Sequence, residues 1–212
     1  MRVSSMIMIL CLAAACASKL RSSDDVALAG EPGFRGEKSG KFVSRAADDG
    51  STETLVDATK DSEWQQWDLD TSKAVSGKRD WDIAFSRFQI KTNGGASGHG
   101  DVYVAALPEQ PFEDLTRAPV EGFAADREDS NEDTDSHPDN VFNSGDEDWY
   151  NYNVMRHELS PKDICYVIRS SEGMFYKFVI DKYYNSAGDP AIMRFRWAEI
   201  EAPDGDWRPS SE

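Results

Sequence analysis

The chain reads as a mainly β protein, an antiparallel sandwich or open barrel with few short helices, behind a disordered N-terminal tether. Three observations predict this. Residues 191–200 (AIMRFRWAEI) alternate, with Met193, Phe195 and Trp197 on one face and Arg194 and Arg196 on the other. Turn-forming clusters such as Ser170-Ser171-Glu172-Gly173 separate the apolar runs. Helical periodicity is weak throughout.

The first sixteen residues carry one positive charge at Arg2, an apolar run from Met6 to Leu12, and small residues before Cys16. This is a secretory leader, too short to span a bilayer as a mature helix. Its ending Leu12-Ala13-Ala14-Ala15-Cys16 resembles a bacterial lipobox, in which the cysteine becomes the lipidated N-terminus. Residues 17–55 are rich in Ser, Asp, Gly, Glu and Lys without a sustained period, the composition of a tether that cannot repay its folding entropy. A β domain is expected over 56–200, with a C-terminal tail over 201–212.

Within that domain, Trp64, Trp67 and Leu69 suggest a first strand. In residues 80–95 (DWDIAFSRFQIKTNGG), Trp81, Ile83 and Phe85 share a face opposite Asp80, Asp82 and Ala84. The parity then changes at Phe88 and Ile90, which predicts a bulge or strong twist near Ser86-Arg87. Thr92-Asn93-Gly94-Gly95 has the chemistry of a turn, and residues 101–107 (DVYVAAL) form the next strand. Residues 126–148 hold ten acids and one arginine, a long solvated loop by composition. Residues 164–169 and 174–181 follow as a hairpin, and 191–200 closes the domain.

The formal charge of −16 sets 39 acids against 23 lysines and arginines, which excludes nucleic acid as a partner. Beyond the leader the chain holds a single cysteine, Cys165, inside an apolar run, so it reads as a buried small hydrophobe with no disulfide framework. Enzyme signatures fail. The Asp80/Asp82 pair reads as the wet face of a strand, and Gly95-Ala96-Ser97-Gly98-His99 lacks the last glycine of a nucleophile elbow. No Gly-Lys-Ser/Thr follows to make a phosphate loop. Asp129, Asn131, Asp133 and Asp135 offer spaced oxygens for calcium, but Thr134 and Asn140 stand where an EF-hand needs Gly and Glu. The three histidines, His99, His137 and His157, do not have zinc spacing. Two of them, or one with Met155, suit haem iron, whose usual axial ligands are imidazole nitrogen and thioether sulfur.

Several motifs in order resemble the HmuY family. They are Trp81-Asp82-Ile83-Ala84-Phe85 with Arg87, Thr92-Asn93-Gly94-Gly95, Ser97-Gly98, Trp149-Tyr150-Asn151-Tyr152, Tyr166-Val167-Ile168-Arg169, Glu172-Gly173, and Tyr176-Lys177 through Tyr183-Tyr184. The resemblance spans about residues 56–200. It implies a lipid-anchored outer-membrane protein, mostly β, that captures haem or a related porphyrin and passes it to a TonB-dependent outer-membrane receptor. It further implies cofactor-binding zones around His137 and around Met155 and His157. Because the acidic segment around His137 repels the haem carboxylates, electrostatics calls for a local positive clamp, with Arg87, Lys91, Arg194 or Arg196 available to supply it. The alternative is a cell-surface adhesion or interaction module on the same scaffold without haem binding.

Overall fold

The structure, a computed structural model, describes residues 26–28, 30–77, 80–128, 139–143 and 148–210. The strands are β1 (Val26–Ala27), β2 (Arg35–Ser39), β3 (Phe42–Ala46), β4 (Thr52–Asp57), β5 (Gln65–Asp68), β6 (Lys73–Val75), β7 (Ile83–Ser86) and β8 (Gln89–Thr92). They continue with β9 (Tyr103–Pro108), β10 (Tyr150–Asn153), β11 (Glu158–Pro161), β12 (Ile164–Arg169), β13 (Phe175–Tyr184) and β14 (Pro190–Ile200). One 3-10 turn at Gly95–Ser97 is the sole helical element among the described residues.

Eight strands form one sheet in the order β1-β2-β3-β4-β14-β13-β12-β9, and four form a second in the order β6-β5-β7-β8. Strands β10 and β11 make a separate hairpin. All strand pairings are antiparallel. The main core lies between the two larger sheets, where Phe85 stacks on Phe195 at 5.1 Å and Phe42 meets Trp67 at 4.6 Å. This is the sandwich that the alternating pattern predicts.

The outer face of the large sheet is covered too. Phe112, Leu115, Ala118 and Phe123 pack there on Val167, Phe175 and Ile200. Residues after Ile200 return over that face, and Trp207 seats against Tyr103 and Phe123, so the expected tail is docked. Cys165 lies beneath this cover, and burial pushes its thiol up to about 11.

Five expectations change. The tether predicted over 17–55 is corrected from Val26 onward, because β1 to β4 extend the large sheet, and β4 pairs with β14 from Ile192↔Asp57 to Trp197↔Thr52. Leu28, Phe34, Val43 and Leu55 form a small core of their own with Ile192. These apolar residues are sparse because edge strands bury little, so the composition resembles a disordered chain. Residues 1–25, including the leader and Cys16, lie outside the described residues.

The bulge predicted near Ser86-Arg87 is instead a full reversal. Ser86 pairs with Gln89, so β7 and β8 join through the two-residue turn Arg87-Phe88. Two-residue hairpins need a positive φ in the turn, and Arg87 supplies it at +55°. Asp82 does not lie on a wet face. It is fully buried, and its carboxylate accepts the Leu69 and Ser171 N–H groups, both at 2.8 Å, tying the end of β5 to the β12–β13 turn.

The acidic segment is likewise not all solvated. Asp126 is buried and accepts both the N–H and the hydroxyl of Thr92. Phe142 is fully buried against Tyr166 and Phe178. The Thr92–Gly95 stretch carries the chain from one sheet to the other rather than closing a hairpin, since β8 and β9 lie in different sheets. A Cβ on Gly94 would fall 2.0 Å from the Val102 carbonyl oxygen, so the close backbone approach there requires glycine.

Candidate functional site

Three parts of the chain that are distant in sequence meet around an open cavity of about 530 Å³. The Arg87-Phe88 turn forms one wall, Tyr150, Tyr152, His157 and Leu159 of the β10–β11 hairpin form another, and Tyr183, Tyr184 and Pro190 close it. The volume falls within the ~300–1,000 Å³ typical of small-molecule sites.

Local contacts hold these walls in place. The buried Trp149 donates its indole N–H to the Phe88 carbonyl at 2.9 Å, joining the hairpin's base to the turn. The Leu159 N–H donates to the Tyr184 hydroxyl at 3.1 Å, joining the hairpin to β13. Phe88 meets Tyr150 edge-on at 5.9 Å, and Tyr183 meets Tyr184 edge-on at 4.9 Å. Edge-to-face packing of this kind stabilises each pair by about 0.5–1.5 kcal/mol beyond burial and keeps the ring faces in register.

Two polar groups enter this aromatic frame. His157 shares a 2.6 Å hydrogen bond between Nδ1 and the Tyr152 hydroxyl. That bond engages Nδ1 and so distinguishes the two ring nitrogens, Nε2 being the one not held by Tyr152. Arg87 brings the positive charge, and its backbone N–H is fixed to the Ala58 carbonyl at 2.8 Å. The cation works against the rise that burial causes in the Tyr183 hydroxyl pKa. Burial and the Asp148 carboxylate raise that of Tyr150, although Asp148 is paired with Lys162.

Backbone strain concentrates here. Among the described residues, six non-glycine residues have positive φ: Ser72, Arg87, Asp101, Glu109, His157 and Ala191. Arg87 and His157 line the cavity, and Ala191 follows its Pro190. A non-glycine residue held in the left-handed region costs about 1–3 kcal/mol, and such residues cluster at functional sites.

The predicted site residues fare differently. His157 is in the cavity wall. Met155, at the tip of the same hairpin, is 91% exposed and does not line it. His137 and the proposed calcium oxygens of Asp129, Asn131, Asp133 and Asp135 lie outside the described residues. Among the suggested clamps, Arg194 and Arg196 face Asp181, and Arg196 also reaches Glu113 at 3.1 Å. Lys91 sits over Trp64 at 4.3 Å with Trp81 beyond. Arg87 alone of the four reaches the cavity. Sequence reasoning missed Phe88, Leu159 and Pro190 as lining, although the Tyr150/Tyr152 and Tyr183/Tyr184 pairs were visible as motifs.

A second cleft of about 570 Å³ lies on the outer face, where Asp49, Glu113, Glu199 and Glu201 outnumber Lys177. It disfavours any anionic ligand. Asp68, Asp70 and Asp82 bring carboxylate oxygens within 4.8 Å of one another. Their oxygens accept from Thr71, Ser170, Tyr176 and the Leu69 and Ser171 N–H groups, which makes them a polar junction of the fold.

The family profile described as HmuY protein matches residues 60–197. No curated protein matches the chain. Solved structures with a similar fold include a candidate lipoprotein from Bacteroides fragilis, at 21% identity and a TM-score of 0.56, covering 74% of this chain and 93% of that one. The apo HmuY analog of Tannerella forsythia is 17% identical with a TM-score of 0.54, covering 77% and 99%. A candidate HmuY-like heme-binding protein from Bacteroides vulgatus is 17% identical with a TM-score of 0.54, covering 76% and 97%.

Proposed function

The chain belongs to the HmuY family, and on that premise we propose that it binds haem or a related porphyrin in the aromatic cavity between the Arg87-Phe88 turn and the β10–β11 hairpin. The observation that carries this reading is one imidazole, with Nδ1 engaged by Tyr152, set in a cavity walled by Phe88, Tyr150, Tyr183 and Tyr184. Flat aromatic walls suit a flat macrocycle, and imidazole nitrogen suits its iron. Bound haem would supply the metal to which His157 Nε2 donates. His137 or Met155 would provide a second ligand to that metal. The Bacteroides vulgatus relative is described as heme-binding, which supports the same reading. The site is a binding site without catalytic chemistry.

The leader ending at Cys16 and the Bacteroides fragilis relative, described as a candidate lipoprotein, support a lipid anchor on the outer membrane. From there, haem would pass to a TonB-dependent receptor. A second reading, an interaction module without haem, is favoured by the hairpin tip, where Val154 is 69% and Met155 is 91% exposed.

Hemin titration of the full-length protein in detergent separates the two. A saturable, sharpened Soret band that shifts in His157→Ala supports haem binding, and absence of saturation leaves the interaction module. Comparing Met155→Ala with His137→Ala assigns the second ligand, as the variant that alters the spectrum.

A further inference from the structure

We propose that Arg87 is the specificity-determining residue of the aromatic cavity, receiving a ligand carboxylate, so that the site selects planar macrocycles bearing free carboxylates over their esters. This rests on the haem reading and sharpens it.

The argument begins with the turn. Position 87 is the first central residue of a two-residue hairpin, where a positive φ makes glycine the unstrained choice. An arginine there costs backbone energy and gains nothing for the turn. No salt bridge among the described residues involves its guanidinium. Its packing role is small, since the side chain is exposed at the cavity rim.

The frame around it is rigid. The Arg87 N–H is bonded to Ala58, and the Phe88 carbonyl is bonded to the Trp149 indole. The turn is therefore pinned on both sides, and the guanidinium is delivered from a fixed base. In a chain of net charge −16, a rim cation with no ion-pair partner among the described residues sets the local sign for an incoming anion. Guanidinium is the group that pairs with carboxylate through two parallel N–H donors. The other basic residues that might compete are already engaged: Arg194 and Arg196 with Asp181, and Lys91 with Trp64.

The test titrates the full-length protein with hemin and with hemin dimethyl ester in the same detergent. Wild type is expected to prefer the free acid by about tenfold, the scale of one partly exposed charge-assisted contact. Arg87→Gln should reduce that preference to less than about twofold while leaving the Soret position unchanged, because iron ligation is untouched. Arg87→Gly should do the same, with an apoprotein that melts at or above wild type, since it relieves the positive φ. Arg87→Lys should retain part of the preference. Equal binding of both ligands by wild type overturns this inference and leaves the haem reading standing. So does a preference that survives in Arg87→Gln and Arg87→Gly, or a loss of both ligands alike in those variants. Binding of neither ligand by wild type overturns the haem reading, and this inference falls with it.

Discussion

Asp82→Asn gives a stability difference whose pH dependence can be worked from the fold. Asp82 is fully buried, and burial pushes its carboxyl from 3.8 up to about 6 against the opposing pull of the Ser171 and Leu69 N–H groups. The nearby Asp70 charge raises it further. A carboxyl that holds its proton more tightly folded than unfolded stabilises the fold fully below the unfolded value. That contribution is lost as pH rises through about 6. At about 1.4 kcal/mol per pH unit, the gap amounts to about 3 kcal/mol. Asparagine cannot accept both N–H groups, which costs about 1–3 kcal/mol at every pH. That penalty offsets the curve without tilting it. Urea unfolding of wild type and Asp82→Asn at pH 3.5, 5 and 7.5 isolates the titration. Wild type should lose about 3 kcal/mol relative to the variant across this range. A difference flat to within about 1 kcal/mol would refute the assignment of the window to Asp82.

Two further outcomes test the site and the core. Tyr152→Phe removes the partner of His157 Nδ1 at an exposed position, so hemin affinity should fall about tenfold with the melting temperature unchanged. Equal loss of affinity and stability would make Tyr152 a packing residue. Phe142→Ala should cost about 3–5 kcal/mol in chemical unfolding, despite lying in an acid-rich segment, because its ring is fully buried between Tyr166 and Phe178. A cost under about 1 kcal/mol would return that residue to a solvated loop.

Much of the sheet could be read from the chain because its signals are local. The alternation in residues 191–200 is contained in β14 itself, and the Ser170–Gly173 turn joins β12 directly to its partner β13. Three of the seven family motifs fall in β12, β13 and the turn between them. Parity alone could not distinguish a bulge from a two-residue hairpin at Ser86-Arg87, since both exchange the buried face. The missing glycine that hid the hairpin is the feature that now marks Arg87.

The sequence by itself determined the β class, the buried character of Cys165 and the family resemblance. Tertiary structure decided that β1 to β4 join the sheet, because their ladder begins at a partner more than 130 residues away, where Trp197 meets Thr52. It also decided that Asp82 is an internal tie, and that Phe88, Tyr150 and Tyr184 share one cavity. Hydrophobic period reports which side of a strand is apolar. What that side faces depends on chain segments that only folding brings together.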